Sequence, residues 1–147
     1  MTAVQSSQRT GRSLVSDELF SSITEFVVSH FHQDWDRARL QTDQAIAFVA
    51  TAAIASTPMV PSDDVDYAFH AFILHTKEYA EFCEQHGGRF IHHNPRPGDN
   101  GRSVGAVAAS AHAMKAAGFQ VFDGMWTVDG QNAAQCDSDD GRPYGTV

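Results

Sequence analysis

Apolar positions along the chain fall mostly on helical spacings. In "DELFSSITEFVVSHF", Leu19, Phe20, Ile23, Phe26, Val27 and Phe31 recur every three to four residues. Ser16 stands before them as an N-cap, and Asp17 and Glu18 suit the positive helix start. A second helix is predicted to open at Thr42 and Asp43 and run through "QAIAFVATAAIAS", with Ile46, Val49, Ala53 and Ile54 on one stripe. Its small residues allow close packing, and Pro58 and Pro61 end it. Ser62, Asp63 and Asp64 then cap a third and longest helix, predicted as the central, most buried one, from Val65 to about His86. Gly87-Gly88 stops it, one glycine taking the left-handed C′ position.

"RFIHHNPRPGDNG" cannot continue a helix, because Pro95 forces Asn94 into an extended conformation and Pro97 removes another donor. Arg89 to Asn94 is therefore predicted as a short extended segment, a candidate edge strand. A further helix is expected in "SVGAVAASAHAMKAAG", closed by Gly118, and "FQVFDGMWTVDG" is expected to lay Phe119, Phe122 and Trp126 on the core. The predicted fold is mostly α: a compact bundle of about four helices with a short extended segment after the central helix. Residues 1–13 read as a disordered leader with nothing to pack, 14–130 as one helical domain, and 131–147 as a loose acidic tail.

The third predicted helix, "VDYAFHAFILHTKEYAEFC", carries the candidate chemistry. At 100° per residue Val65, Phe69, Phe72, Thr76, Tyr79 and Cys83 share one broad face, with Asp66, His70 and Ile73 beside it. A helix apolar almost all round is usually buried, so His70 needs a partner at the core margin. Asp66, one turn earlier, can orient the His70 ring or join it as a second metal ligand. His75 lies about 140° from His70 at the helical increment and is set aside. In an extended segment His92 and His93 point to opposite sides, so at most one of them faces the helix easily.

The return of one of them to His70 is feasible. From Gly87 the His70 ring is about 25 Å up a straight helix, and five or six extended residues cover roughly 17–20 Å. A lone His–Asp pair is commonly structural; the nearby doublet gives a functional constellation comparable weight. Cys83 reads as a core hydrophobe rather than a nucleophile. His30, His32, His86 and His112 read as ordinary helix-end or surface histidines.

Bulk properties narrow the function classes. The chain has 147 residues, enough for one domain with its own core. It is 42% hydrophobic with ten Phe, and its formal net charge of −8 argues against nucleic-acid or anionic-membrane partners. No apolar run reaches the ~20 residues of a membrane span. The N-terminus has no secretory signal, and Cys83 and Cys136 are too few for a disulfide scaffold, so a cytoplasmic location with free thiols is expected. There is no glycine-rich phosphate loop and no nucleophile elbow, so no nucleotide cofactor is expected.

"VDYAFHAFILHTKEYAEFC" followed by "GRFIHHNP" resembles the signature of small bacterial glycine-rich domain-containing proteins, relatives of a domain in plant glycine-rich domain proteins. The resemblance covers about residues 60–97. It matches at Val65, Asp66, His70, Leu74, Thr76, Tyr79, Phe82, Cys83, Phe90, Ile91, His92, His93 and Pro95. Phe69 replaces the Trp expected before the histidine, and "AAQCDSDDG" stands where bacterial relatives carry a Cys/His-rich tail. The resemblance implies that Asp66, His70, Tyr79, His92 and His93 act as a unit.

Two functions are expected to compete. In one, the protein is a small enzyme acting on a small molecule or peptide. His70, His92 and His93 are then candidate ligands of a divalent metal ion. Alternatively, His70 oriented by Asp66 is the acid/base and Tyr79 the proton donor. Phe69, Phe72 and Trp126 would wall the pocket. In the other, the protein is a non-catalytic binding or accessory module in which the histidine cluster fixes the fold.

Overall fold

The computed structural model describes residues 8–93, 103–128 and 131–132. Five α-helices make up most of it: α1 (Asp17–Phe31), α2 (Trp35–Ala52), α3 (Asp63–Leu74), α4 (Thr76–His86) and α5 (Val104–Ala116). A two-residue hairpin, β1 (Thr127–Val128) with β2 (Gln131–Asn132), is the only sheet among the described residues. The mostly helical bundle is as expected. Among the described residues no helix is long and apolar enough to cross a membrane.

The helix starts follow their local signals. Ser16, Ser62 and Ser103 each accept the backbone N–H three residues on, as N-caps do. α4 ends where Gly88 takes φ +75, the left-handed C′ conformation that suits glycine. Gly87 meets a different demand, because a Cβ there would overlap the Ala53 carbonyl at the end of α2.

The central element is α2, not the histidine helix. α1, α3 and α5 all pack on α2, and from Gln41 to Ala52 every one of its residues is buried. It also begins seven residues before the expected start, with Asp34 accepting from the Arg37 amide as N-cap. The run Gln41–Gln44, expected to lie at the helix start, is helix interior. Thr24 donates to Thr42 at 3.1 Å. The Gln44 side chain accepts from the Trp126 indole at 2.8 Å and the Phe122 amide at 3.0 Å, and donates to the Gln120 carbonyl at 2.9 Å. These bonds lay the 119–126 segment on the core, with Trp126 and Phe119 fully buried and Phe122 partly so.

Three further expectations are corrected. The helix from Val65 to His86 is broken at His75, whose φ −85 and ψ 69 end α3 and begin α4. Its ring is tied on both sides, Nδ1 to the Ala71 carbonyl and Nε2 to the Ser22 hydroxyl, each at 2.8 Å. In the neutral ring Nδ1 therefore donates and Nε2 accepts. Residues 8–13 are not a leader without contacts. Arg9 exchanges backbone hydrogen bonds with Gly118 and Gln120, Gly11 packs on the Asp43 carbonyl, and the Arg12 amide donates to the Asp43 carboxylate at 2.8 Å. Gln131 and Asn132 pair with β1 rather than belonging to a loose tail. Residues 1–7 of the expected leader, 133–147 of the expected tail, and Asn94, Pro95, Pro97 and Cys136 lie outside the described residues.

Candidate metal site

The site is assembled from α3 and the segment that returns along it. Ser62 starts α3, and three turns of helix put Asp66 and His70 one turn apart on the same face. The apolar side of that helix, Val65, Phe69 and Phe72, is sealed in the core, as its spacing required. Asp66 and His70 stay at the margin, half-buried.

After α4 the chain reverses at Gly87-Gly88 and runs back without ladder partners among the described residues. Two side chains hold it down instead. Arg89 donates to the Ala52 and Ala55 carbonyls, at 2.8 and 3.3 Å, at the negative end of α2. The Tyr79 hydroxyl donates to the Ile91 carbonyl. Between these anchors the side chains alternate. Ile91 packs on the core, His92 is exposed and lies against Phe90, and His93 turns inward over Phe69 with ring centroids 4.8 Å apart.

His93 therefore meets α3. Its Nε2 lies 3.2 Å from Asp66 Oδ1, and its ring stands edge-on to His70 at 5.0 Å between centroids. One donor atom from each of Asp66, His70 and His93 lies within 4.8 Å of the others, so the group could hold a metal ion. Two donors bound to one ion at about 2.0–2.2 Å sit roughly 3–3.5 Å apart, which the Asp66–His93 pair already satisfies. Both side chains are shielded, at 13% and 25% exposure for His93 and Asp66. Two imidazoles and one carboxylate form a donor set suited to first-row divalent ions.

Two candidate residues are placed elsewhere. His92 is outside the three-donor group, as strand alternation requires once His93 points in. Tyr79 is fully buried among Phe69, Phe72 and Phe90, with its proton committed to Ile91. Burial, reinforced by Cys83, pushes its phenol pKa well up, so it stays a neutral donor that positions the return segment. Asp66 and His70 both belong to the three-donor group, as expected of a pair one turn apart that can bind one ion, and Asp66 also approaches His93. His75, set aside on angular grounds, is indeed occupied elsewhere. Cys83 is buried, as expected of a core residue.

The return segment forms a wall shared by two clefts. One, of about 230 Å³, lies between Phe48, Pro58, Met59, Phe69, Arg89 and His93. The other, of about 310 Å³, is bounded by His70, Ile73, Leu74 and Phe90. Ile91, His92 and His93 line both. Of the aromatics expected to wall a pocket, Phe69 lines one of these two clefts, whereas Phe72 and Trp126 are buried in the core. The Pro58–Pro61 loop and Arg89 were not singled out as site residues, because nothing local marks a loop or an isolated Arg as facing a cleft.

A family model, described as UCP032817-like, matches residues 20–99 and so covers most of α1, all of α2 to α4 and all three donors. The chain belongs to the UCP032817-like family. That membership overturns the resemblance to glycine-rich domain proteins, because the residues that suggested it lie within the UCP032817-like match. A helix with scattered His and Tyr followed by a His-His doublet is too short a pattern to separate two families. No curated protein and no solved structure matches the chain.

Proposed function

We propose that the protein is a small metal-dependent enzyme in which Asp66, His70 and His93 hold one divalent first-row ion beside the two clefts. The observation that carries this reading is the convergence of a carboxylate and two imidazoles from two separate segments at ligand spacing. Three protein ligands leave coordination positions open, which distinguishes catalytic from structural sites. Such an ion would supply Lewis-acid polarisation of a substrate oxygen. The chain's own residues set the geometry. Asp66 and His70 are fixed by the helix, Tyr79 holds the Ile91 carbonyl and with it the register of His93, and Phe69 supports the His93 ring. The clefts admit a small molecule to the His93 side of the group.

The test is metal titration of untagged protein, using cobalt absorption and calorimetry with zinc and manganese. One ion per chain is expected, with uptake lost in Asp66→Asn, His70→Ala and His93→Ala and kept in His92→Ala. Absence of stoichiometric uptake would leave the Asp66–His93 contact as a structural clasp and favour the accessory-module reading.

A further inference from the structure

The smaller cleft has an uneven lining. Its body is apolar, formed by Phe48, Pro58, Met59 and Phe69. Its lining also includes Arg89, the only Lys or Arg lining either of the two main clefts among the described residues. His93, which belongs to the metal group, lines it too, four residues further along the return segment.

Arg89 is held by backbone carbonyls, as is Arg9, whose Nη1 donates to the Ala117 carbonyl, but only Arg89 of the two lines a cleft. Among the described residues its partners are two neutral carbonyls, those of Ala52 and Ala55, both taken by Nη2. Arg12, Arg37, Arg39 and Lys77 each have a carboxylate partner, whereas Arg89 has none there. The carbonyls fix the guanidinium in place, and among the described residues no acceptor takes its Nε or Nη1 donors. A preoriented guanidinium with free donors is suited to bidentate recognition of a carboxylate. In a protein of net charge −8, a cation lining a cleft, with no acidic partner among the described residues, is a specific feature rather than part of a basic surface.

The geometry points to a small carboxylic acid with an apolar body as the ligand of this cleft. Its carboxylate is held by Arg89, and its apolar part lies along Met59 and Phe69. Its far end meets His93. Four extended residues separate Arg89 from His93, about 13 Å of chain, and the volume is below the roughly 300–1,000 Å³ of sites for drug-sized ligands. The acid is therefore short-chain or single-ring. Only the assignment of the His93 end as the reacting end rests on the metal-enzyme reading; recognition of the acid does not.

The test uses phenylacetate and phenylacetamide as probes, with binding to the full-length, metal-free protein followed by chemical-shift titration. Saturable binding of the acid is expected, with the amide at least about tenfold weaker. Arg89→Gln should bring the acid down to the level of the amide, and Arg89→Lys should keep part of the difference. Because Arg89 also caps α2, Met59→Trp provides a second arm: it fills the cleft, leaves Arg89 in place, and should abolish binding of both probes. His70→Ala should leave binding of the acid unchanged even where it abolishes metal uptake, which separates failure of this inference from failure of the metal reading. Equal binding of acid and amide, no saturable binding of the acid, or binding unaffected by Met59→Trp would overturn the inference.

Discussion

Two polar clusters, one on α2 and one between α3 and the return segment, differ in what they leave open. Around Gln44, Thr42 and Asp43 every side chain is buried, and the bonds run to fixed partners: the Trp126 indole, the Phe122 and Arg12 amides, the Gln120 carbonyl and Thr24. Around Asp66, His70 and His93 the groups are titratable, half-buried, and bordered by two clefts. A buried amide with all its bonds made adds specificity to the core and can do no chemistry. Two imidazoles and a carboxylate brought together beside open space can bind. Polar residues on core helices thus serve two purposes here, separated by access and by the company they keep.

The comparison can be broken most easily at Gln44. Gln44→Leu strands the buried indole N–H of Trp126 and the Phe122 amide, each costing about 1–3 kcal/mol. A loss of roughly 3 kcal/mol is expected, a fall in Tm of about 10 °C at this chain length, with metal uptake by the folded protein unchanged. Thermal denaturation followed by far-UV circular dichroism reads it; a stability close to wild type would show that this cluster is not a closed structural unit.

His70→Ala should do the reverse. Stability should change by less than about 1 kcal/mol, while metal affinity should fall by more than about 100-fold, beyond the usual effect of losing a residue that only supports a ligand. Unfolding of this variant on the scale expected for Gln44→Leu would place both clusters in the same structural class.

Tyr79→Phe probes the join between packing and site. Removing the hydroxyl frees the Ile91 carbonyl and should cost about 1 kcal/mol. Metal affinity should drop by less than in His70→Ala, because His93 is loosened rather than removed. Paired denaturation and metal titrations measure both; unchanged metal affinity would mean that Phe69 and Asp66 alone hold His93.

The smallest effect is expected at His86, at the end of α4 against Phe82. Burial, and secondarily the nearby Arg9, lowers its pKa. The unfolded chain then binds the proton more readily than the folded one, so the contribution of this group is intact above about pH 6.5 and is lost as the pH falls below it. His86→Asn should flatten that acid limb slightly in urea denaturation series at pH 5 and 7. An unchanged slope would assign the limb to other groups.

How much of this was legible beforehand depends on how far apart the partners are. Helix starts at Ser16, Ser62 and Ser103 and the stop at Gly87-Gly88 were readable because caps act within about four residues. So was the alternation that separates His92 from His93, a property of any extended backbone. The one-turn spacing of Asp66 and His70 was equally visible. These local features the amino-acid order determined by itself.

Tertiary structure decided the rest. The hydrophilic run Gln41–Gln44 resembled a helix start because its partners, Thr24, Gln120, Phe122 and Trp126, lie up to 82 residues away in sequence. The break at His75 depends on Ser22, 53 residues earlier, holding the far side of its ring. The inward turn of His93 depends on Tyr79 and Arg89 pinning a segment that has no ladder among the described residues. Periodicity and capping report only on neighbours along a helix or strand, whereas the burial of a polar group, and whether it faces a cleft, depends on contacts that exist only once the chain has closed on itself.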